Sequence, residues 1–366
     1  MTCVRRPLSL LALPVAFAAT LALSACTSSG PSGGTGSPAA AAQSTRPSPA
    51  ASPSVGGPAG SLQAQYESVI GRVLPSIVEI TTKVGLGSGI VYDSAGDIVT
   101  NDHVVGDAKT FQVRFSDSAS PVKATLVGTF PPDDLAVINV AGVSHLDPAT
   151  FADSSKVKVG EIVLAMGNPL GLASSVTDGI VSAVGRTLTE PTSPDSPGAT
   201  LPDSIQTSAA INPGNSGGAL VDLRGEVIGI PTLAATSQQE GGAAPGIGFA
   251  IPSNTVHAIA SQLVKSGRVT RSGRAALGVG VATVTGPSGT GAGAGVETVV
   301  PGGPADDAGI RPGDVIVKLG KTRVTSTQVL SALLAGMKVG QHVSVTIVRS
   351  GATHTVQVTL GQLQSS

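Results

Sequence analysis

Five consecutive residues, Gly214-Asn215-Ser216-Gly217-Gly218, set a serine among glycines. A serine nucleophile needs its Oγ open to a base and backbone N–H groups aimed at the oxyanion that forms on attack. Glycines permit the tight turn that does the second job, so the amides of Gly214 and Ser216 are the candidate oxyanion hole. Gly217 and Gly218 leave room for a substrate chain. The base must come from five histidines. His145, His257, His342 and His354 have no motif around them and read as surface or hydrogen-bonded histidines. His103 differs: it follows the apolar pair Ile98-Val99 and the turn-forming Asn101-Asp102, which sets an imidazole at a strand end. The third group has to be a buried carboxylate that fixes the imidazole tautomer and stabilises the imidazolium. Asp133-Asp134 precedes the apolar run Leu135-Ala136-Val137. Asp134, adjoining the strand, is the better candidate. Asp133 is the alternative, and read alone it is also an ordinary solvated turn residue.

These groups need a scaffold. The chain has 366 residues, more than one ordinary core uses, which suggests two domains and additional segments. With 41% apolar and only 12% charged residues, the chain as a whole is not disordered. Its 22 basic and 23 acidic residues carry no basic excess that would suit a nucleic acid. Aromatics are 2% and Trp is absent, so Val, Ile, Leu and Ala must build the core, and Val and Ile favour strands. Strand patterns fall at 77–82, 88–92, 111–115, 122–129, 135–140, 161–166, 176–184 and 226–230, separated by Gly, Pro, Asn and Asp. So many short strands argue for an all-β barrel or sandwich. A short helix is expected over 62–74, stopped by Pro75, and a second over 253–265, where Val256, Ile259, Ala260 and Leu263 recur before Gly267. A further unit follows, with strands at 277–284, 296–300, 314–319, 342–348 and 353–360 and a helix over 326–337. Between its first two strands, 286–295 reads as a long glycine-rich loop.

Cys3 and Cys26 are the only cysteines, so the body of the protein is expected to hold no disulfide, thiol nucleophile, zinc or other metal, and no cofactor. Gly85-Leu86-Gly87-Ser88-Gly89 is not a dinucleotide loop, because a strand pattern rather than a helix follows it. Arg5-Arg6 and an apolar run over 8–23, broken by Pro14, make a signal-peptide pattern. It ends in Leu23-Ser24-Ala25-Cys26, which resembles the bacterial lipobox, with Cys26 as the lipidated residue. The alternative is an uncleaved anchor helix, although the run is shorter than the ~20 residues that span a bilayer. Either reading places the protein on the extracytoplasmic face of the cell membrane. Residues 27–60 are Ser, Gly, Pro, Ala and Thr with one charge, Arg46, and read as a tether.

Taken together, these words make the chain similar to the HtrA (Deg) family of trypsin-like serine proteases, in a bacterial lipoprotein form. The order His103, Asp134, Ser216 is that of chymotrypsin-like peptidases. The words at 85–89, 100–105, 134–137, 167–171 (Gly167-Asn168-Pro169-Leu170-Gly171), 177–185 and 205–220 follow the family's sequence order, and the likeness covers 62–361. It implies a mostly β fold, with two six-stranded barrels holding His103, Asp134 and Ser216 in the cleft between them, followed by a PDZ domain. The expected division is 1–26 leader, 27–60 tether, 61–266 protease domain, 267–276 linker and 277–361 PDZ domain. The resemblance implies an endopeptidase acting on unfolded or damaged extracytoplasmic proteins. Leu277, Gly278 and Val279 match the PDZ loop whose amides take a peptide's terminal carboxylate, with Arg271 or Arg274 to assist and the helix over 326–337 as the other wall. Ile211 and Ile230 are the expected lining of the pocket before the scissile bond, favouring small aliphatic side chains. Family members are commonly trimers built through the N-terminal segment, which implies a homotrimer with Tyr66 as a contact. Two departures stand out: a Pro-rich insertion over 187–204, and Pro231 where a polar residue is usual. The rival reading is a PDZ-containing chaperone or adaptor with a latent protease domain.

Overall fold

A strand that is apolar on both faces has to be covered on both, and a barrel packed against a second barrel does this. The computed structural model describes residues 57–365 apart from 83–84, 117, 119, 144, 169–174, 190–198, 213, 238–241 and 287–290. The expected leader with Cys26, most of the tether, part of the 167–171 word and the middle of the Pro-rich insertion lie outside these residues.

Helix α1 (Pro58–Val73) comes first, longer than expected because Pro58 occupies its first turn, where a missing N–H costs nothing. Strands β1 (Ile77–Thr81), β2 (Leu86–Val91) and β3 (Asp97–Thr100) follow, then the one-turn helix α2 (Asp102–Val105). Strands β4 (Thr110–Phe115), β5 (Val122–Phe130) and β6 (Leu135–Val140) complete a closed antiparallel barrel in the order β1-β2-β3-β6-β5-β4. The second barrel uses β7 (Ile162–Gly167), β8 (Ser175–Thr189), β9 (Thr200–Thr207), β10 (Ala219–Asp222), β11 (Val227–Ser237) and β12 (Gly242–Pro252), ordered β10-β11-β12-β9-β8-β7. Helix α3 (Ser253–Ser266) ends on Gly267, which takes φ 70° and donates its amide to Leu263 O. Strands β8 and β9 run into the Pro-rich insertion from both sides, so residues 187–189 and 200–204 of it are strand.

Alternate residues of each strand serve two different cores. Val78, Ile80, Val91, Ile98, Phe111 and Val113 fill the first barrel. Their neighbours Ile77, Ile90 and Val99 face outward, into a cluster with Leu164, Met166 and Val221 of the second barrel, Val69 and Val73 of α1, and Val256, Ile259 and Leu263 of α3. The second barrel is filled by Val163, Ala165, Ile205, Leu220, Ile228 and Ala250.

The C-terminal unit contains β13 (Ala275–Ala276), β14 (Val279–Thr285), β15 (Gly291–Val299), helix α4 (Pro304–Asp307), β16 (Val315–Leu319), β17 (Thr322–Arg323), helix α5 (Thr327–Ala335), β18 (His342–Arg349), β19 (Ala352–Thr359) and β20 (Gly361–Gln362). Its main sheet runs β14-β15-β16-β18-β19, with β17 added to β16, so β14 is an edge. The glycine-rich stretch read as a loop corrects itself here: from Gly291 onward it is strand, paired with β14. A Cβ on Gly293 would come within 2.7 Å of the Ile316 carbonyl, so the missing side chain is what lets β15 approach β16. Strand β20 pairs with β13, and the residues after it continue along the connecting segment: Leu363 N donates to Arg274 O (2.8 Å) and Ser365 N to Val269 O (2.9 Å). Leu363 also packs against the cluster shared by the two barrels. Helix α5 lies along β14 and also touches β8 and β9 of the second barrel.

Candidate active site

His103 belongs to α2, three residues past Thr100, where β3 stops pairing with β6. Asp134 follows the 3-10 turn Pro131–Asp133 and takes the left-handed conformation, φ 50° and ψ 46°, before β6 begins. That conformation is uncommon outside glycine. It is held by Asp134 N donating to Pro131 O (3.0 Å) and Asn101 Nδ2 donating to Asp134 O (2.9 Å). The Asp134 carboxylate then meets the histidine twice. Oδ1 accepts from the His103 backbone N (3.0 Å), and Nδ1 of the ring lies 3.0 and 2.9 Å from the two oxygens. Asp134 is almost wholly covered, while the His103 side chain is 26% exposed. Such an imidazole is fixed in one orientation by a buried carboxylate, which is what a general base requires. Of the two acids the sequence offered, Asp134 is the one beside the histidine.

The serine turn comes from the second barrel. Asn215 N donates to Asn212 O (3.0 Å), closing a turn in which Gly214 takes φ 101°, a value that suits only glycine. Gly217 takes φ 80°, and a Cβ there would collide with Ser88 O and Thr100 Oγ1. The first barrel therefore presses directly on the serine turn. Ser88 makes the junction: its N donates to Ser216 O (2.9 Å), its Oγ donates to Gly214 O (2.5 Å), and that Oγ accepts from Asn168 N (2.8 Å). Thr100 Oγ1 donates to Ser88 O (2.6 Å). These bonds orient the Gly214–Ser216 backbone, whose N–H groups are the expected oxyanion donors. Ser216 is half-buried, and its Oγ donates to Thr232 O (3.1 Å). The Thr232 hydroxyl donates to Asp134 Oδ2 (2.5 Å), so one residue of β11 touches both the serine and the acid.

Two charged neighbours shape the electrostatics. Burial, reinforced by the nearby Asp134, raises the Asp102 carboxyl to about 6. Burial also pushes Asp133 up, opposed by the Arg274 guanidinium. Arg274 corrects a sequence expectation: it does not assist the carboxylate loop. Its Nη1 donates to Asp133 Oδ1 (2.6 Å) and Pro132 O (2.5 Å), with both side chains nearly covered. Ile230 is likewise corrected: it is 0% exposed in the cluster between the barrels and offers no surface to a substrate. Ile211, 7% exposed, packs in the second barrel against Gly248. Pro231 sits where the β11–β12 register shifts, a place where a missing N–H is tolerated, and its carbonyl accepts from Gly217 N (3.1 Å).

In the C-terminal unit, Leu277 is buried, Gly278 takes φ 73° and Val279 opens the edge strand β14. Their carbonyls are tied down by Ala305 N to Leu277 O and Val300 N to Gly278 O, both 2.9 Å. Thr283 Oγ1 accepts from Thr327 N (3.1 Å), joining β14 to the start of α5. The roles of Ser88, Asn101, Thr100 and Thr232 were not assigned from the sequence. The first three lie inside recognisable words, but nothing local marks Thr232.

Residues 87–230 match the trypsin-like peptidase domain and residues 275–360 the PDZ domain. The serine protease PepD of Mycobacterium tuberculosis is 39% identical over 352 residues, covering 91% of this chain and 72% of that protein. The serine protease Do-like HtrA of Lactococcus lactis subsp. cremoris is 40% identical over 298 residues, covering 76% and 71%. Among solved structures, the HtrA-type protease AlgW with tripeptide superposes with a TM-score of 0.54 at 35% identity, covering 81% of this chain and 97% of that one.

Proposed function

Because this chain belongs to the HtrA family of serine proteases, we propose that it hydrolyses peptide bonds of unfolded proteins with Ser216 as nucleophile, His103 as base and Asp134 as orienting carboxylate. The observation that carries this reading is the paired approach of His103 to a buried Asp134 at 2.9 and 3.0 Å. The Ser216 hydroxyl turns from Thr232 O to the imidazole, gives up its proton and bonds to the substrate carbonyl carbon. The carbonyl oxygen becomes an oxyanion received by the Gly214 and Ser216 amides. Collapse of that adduct breaks the C–N bond, and His103 passes the proton to the departing amine. Water, deprotonated by the same imidazole, then releases the acyl group from Ser216. Thr232 keeps the carboxylate facing the ring throughout. Ile211 remains the candidate wall for a small aliphatic side chain before the scissile bond.

The PDZ domain binds peptide C-termini through Leu277, Gly278 and Val279, with β14 as the edge to which the peptide adds. A structural relative bound to a tripeptide supports peptide capture. Cys26 carries the lipid that holds the enzyme on the extracytoplasmic face, and α1 with Tyr66 contributes to a homotrimer. The leader pattern supports the first of these placements.

The test is cleavage of denatured casein by the full chain beside its Ser216→Ala variant. Cleavage lost in the variant supports the enzyme. If neither cleaves, the assay is repeated with C-terminal peptides as PDZ ligands. Peptide binding with continued silence overturns the reading in favour of an adaptor.

A further inference from the structure

Arg274 lies outside both barrels and outside every catalytic word, in the segment that leads from α3 into the PDZ domain. Its guanidinium nevertheless reaches back to the first barrel. One nitrogen, Nη1, donates to Asp133 Oδ1 and to Pro132 O at 2.6 and 2.5 Å. The two side chains are only 12% and 3% exposed. The other oxygen, Asp133 Oδ2, is buried and has no hydrogen-bond partner among the described residues, so Arg274 alone compensates that carboxylate. The residues it grips form the last part of the turn Pro131–Asp133, and the next residue is Asp134 in its left-handed conformation. From the other side, the Arg274 backbone is fixed by the chain's end: Leu363 N donates to Arg274 O (2.8 Å), and Ala275 pairs with Gln362.

We propose that Arg274 is a positioning residue for Asp134: by clamping Pro132 and Asp133 it sets the turn that aims the Asp134 carboxylate at His103. The contacts run from the base of the PDZ domain, through Arg274, to the 132–133 turn, to Asp134 and to His103. His103 and Thr232 fix the carboxylate from the front, and Asn101 fixes its carbonyl. Arg274 supplies the hold from behind. Release of this clamp lets the turn relax and moves the acid without touching the substrate cleft, so turnover falls while substrate affinity stays. The proposal rests on the His103–Asp134–Ser216 reading.

The test uses the full chain and a fluorophosphonate. The serine oxygen bonds to phosphorus, fluoride leaves, and the serine proton goes to His103, so the labelling rate reports the base without peptide contacts. The Nδ1 proton of His103 is followed separately by NMR. Arg274→Gln should label about tenfold more slowly, with kcat on a peptide substrate reduced similarly and KM within about twofold. Its Nδ1 proton resonance should shift or broaden. Arg274→Lys, whose ammonium can still reach both acceptors, should stay within about twofold of the parent. Equal labelling of folded Arg274→Gln and parent, with an unmoved resonance, overturns the proposal. If Arg274→Gln does not fold, Asp133→Asn takes its place, expected about threefold slower, and an unchanged rate is equally fatal. A parent that fails to label at Ser216 defeats the protease reading instead, and the Nδ1 resonance still decides the positioning role.

Discussion

Asp102, next to His103 in α2, holds a charge that burial makes costly. Its carboxyl is raised to about 6 by burial, with Asp134 adding repulsion and His103 partly offsetting it. A carboxyl raised in the folded state contributes stability that is full below its unfolded value, near 4, and is lost as pH climbs through 6. At pH 7 to 8 the ionised Asp102 therefore destabilises the fold, by an amount on the order of 2 kcal/mol. Asp102→Asn should raise stability at pH 7.5 and flatten its dependence between pH 4 and 7, as read by urea unfolding at a series of pH values. Removing that negative charge also disfavours the imidazolium, so the acidic limb of kcat/KM should move to lower pH. A limb that did not move would mean Asp102 is not felt at His103. At this scale the sequence was informative where chemistry clusters in a word. Gly214 to Gly218 and Thr100 to Val105 announced themselves. Thr232 and Arg274 did not, because their partners lie 98 and 141 residues away and neither has a local pattern. Arg274 was read as a helper of the PDZ loop because it is near Leu277 in sequence, whereas a buried acid and carbonyl drew its guanidinium the other way.

Among elements, the strands were legible from their β-branched runs, and β6, Leu135–Val140, matches its expected span at both ends. Which face of a strand goes where was not legible. When both faces are apolar, alternation carries no contrast, so Ile230 could be placed in a pocket when it is in fact between the barrels. The glycine-rich start of β15 was missed for the opposite reason. Glycine has low strand propensity, and only the tertiary approach of β16 makes it the residue that fits. This gives a direct check. Gly293→Val should satisfy strand propensity yet push β15 off β16, since its side chain would begin 2.6 Å from Val315 Cγ1 and 2.7 Å from Ile316 O. The expected loss is about 1–3 kcal/mol in denaturant unfolding. A stabilised variant would show that β15 can retreat without cost.

For the whole molecule, α1, α3, both barrels and Leu363 share one apolar cluster, so Leu363, beyond the last PDZ strands, is part of the protease domain's packing. Deleting residues 361–366 removes β20, the bonds to Val269 and Arg274, and Leu363. The shortened chain should show faster amide exchange through 267–276 and a lower melting temperature, measured by hydrogen–deuterium exchange and circular dichroism. Unchanged exchange in that segment would mean the tail contributes nothing to its order.

The same tail bears on competition for the groove. An edge strand proposed to take peptides is open to any extended segment of the chain itself. A loose segment of the same chain competes at an effective concentration of about millimolar wherever it can reach, enough to crowd out dilute ligands. Residues 361–365 instead spend their backbone hydrogen bonds on the connecting segment, from Gln362 opposite Ala275 to Ser365 on Val269. Residues 361–365 are thereby committed to the segment at 269–275 and are not available to pair with β14.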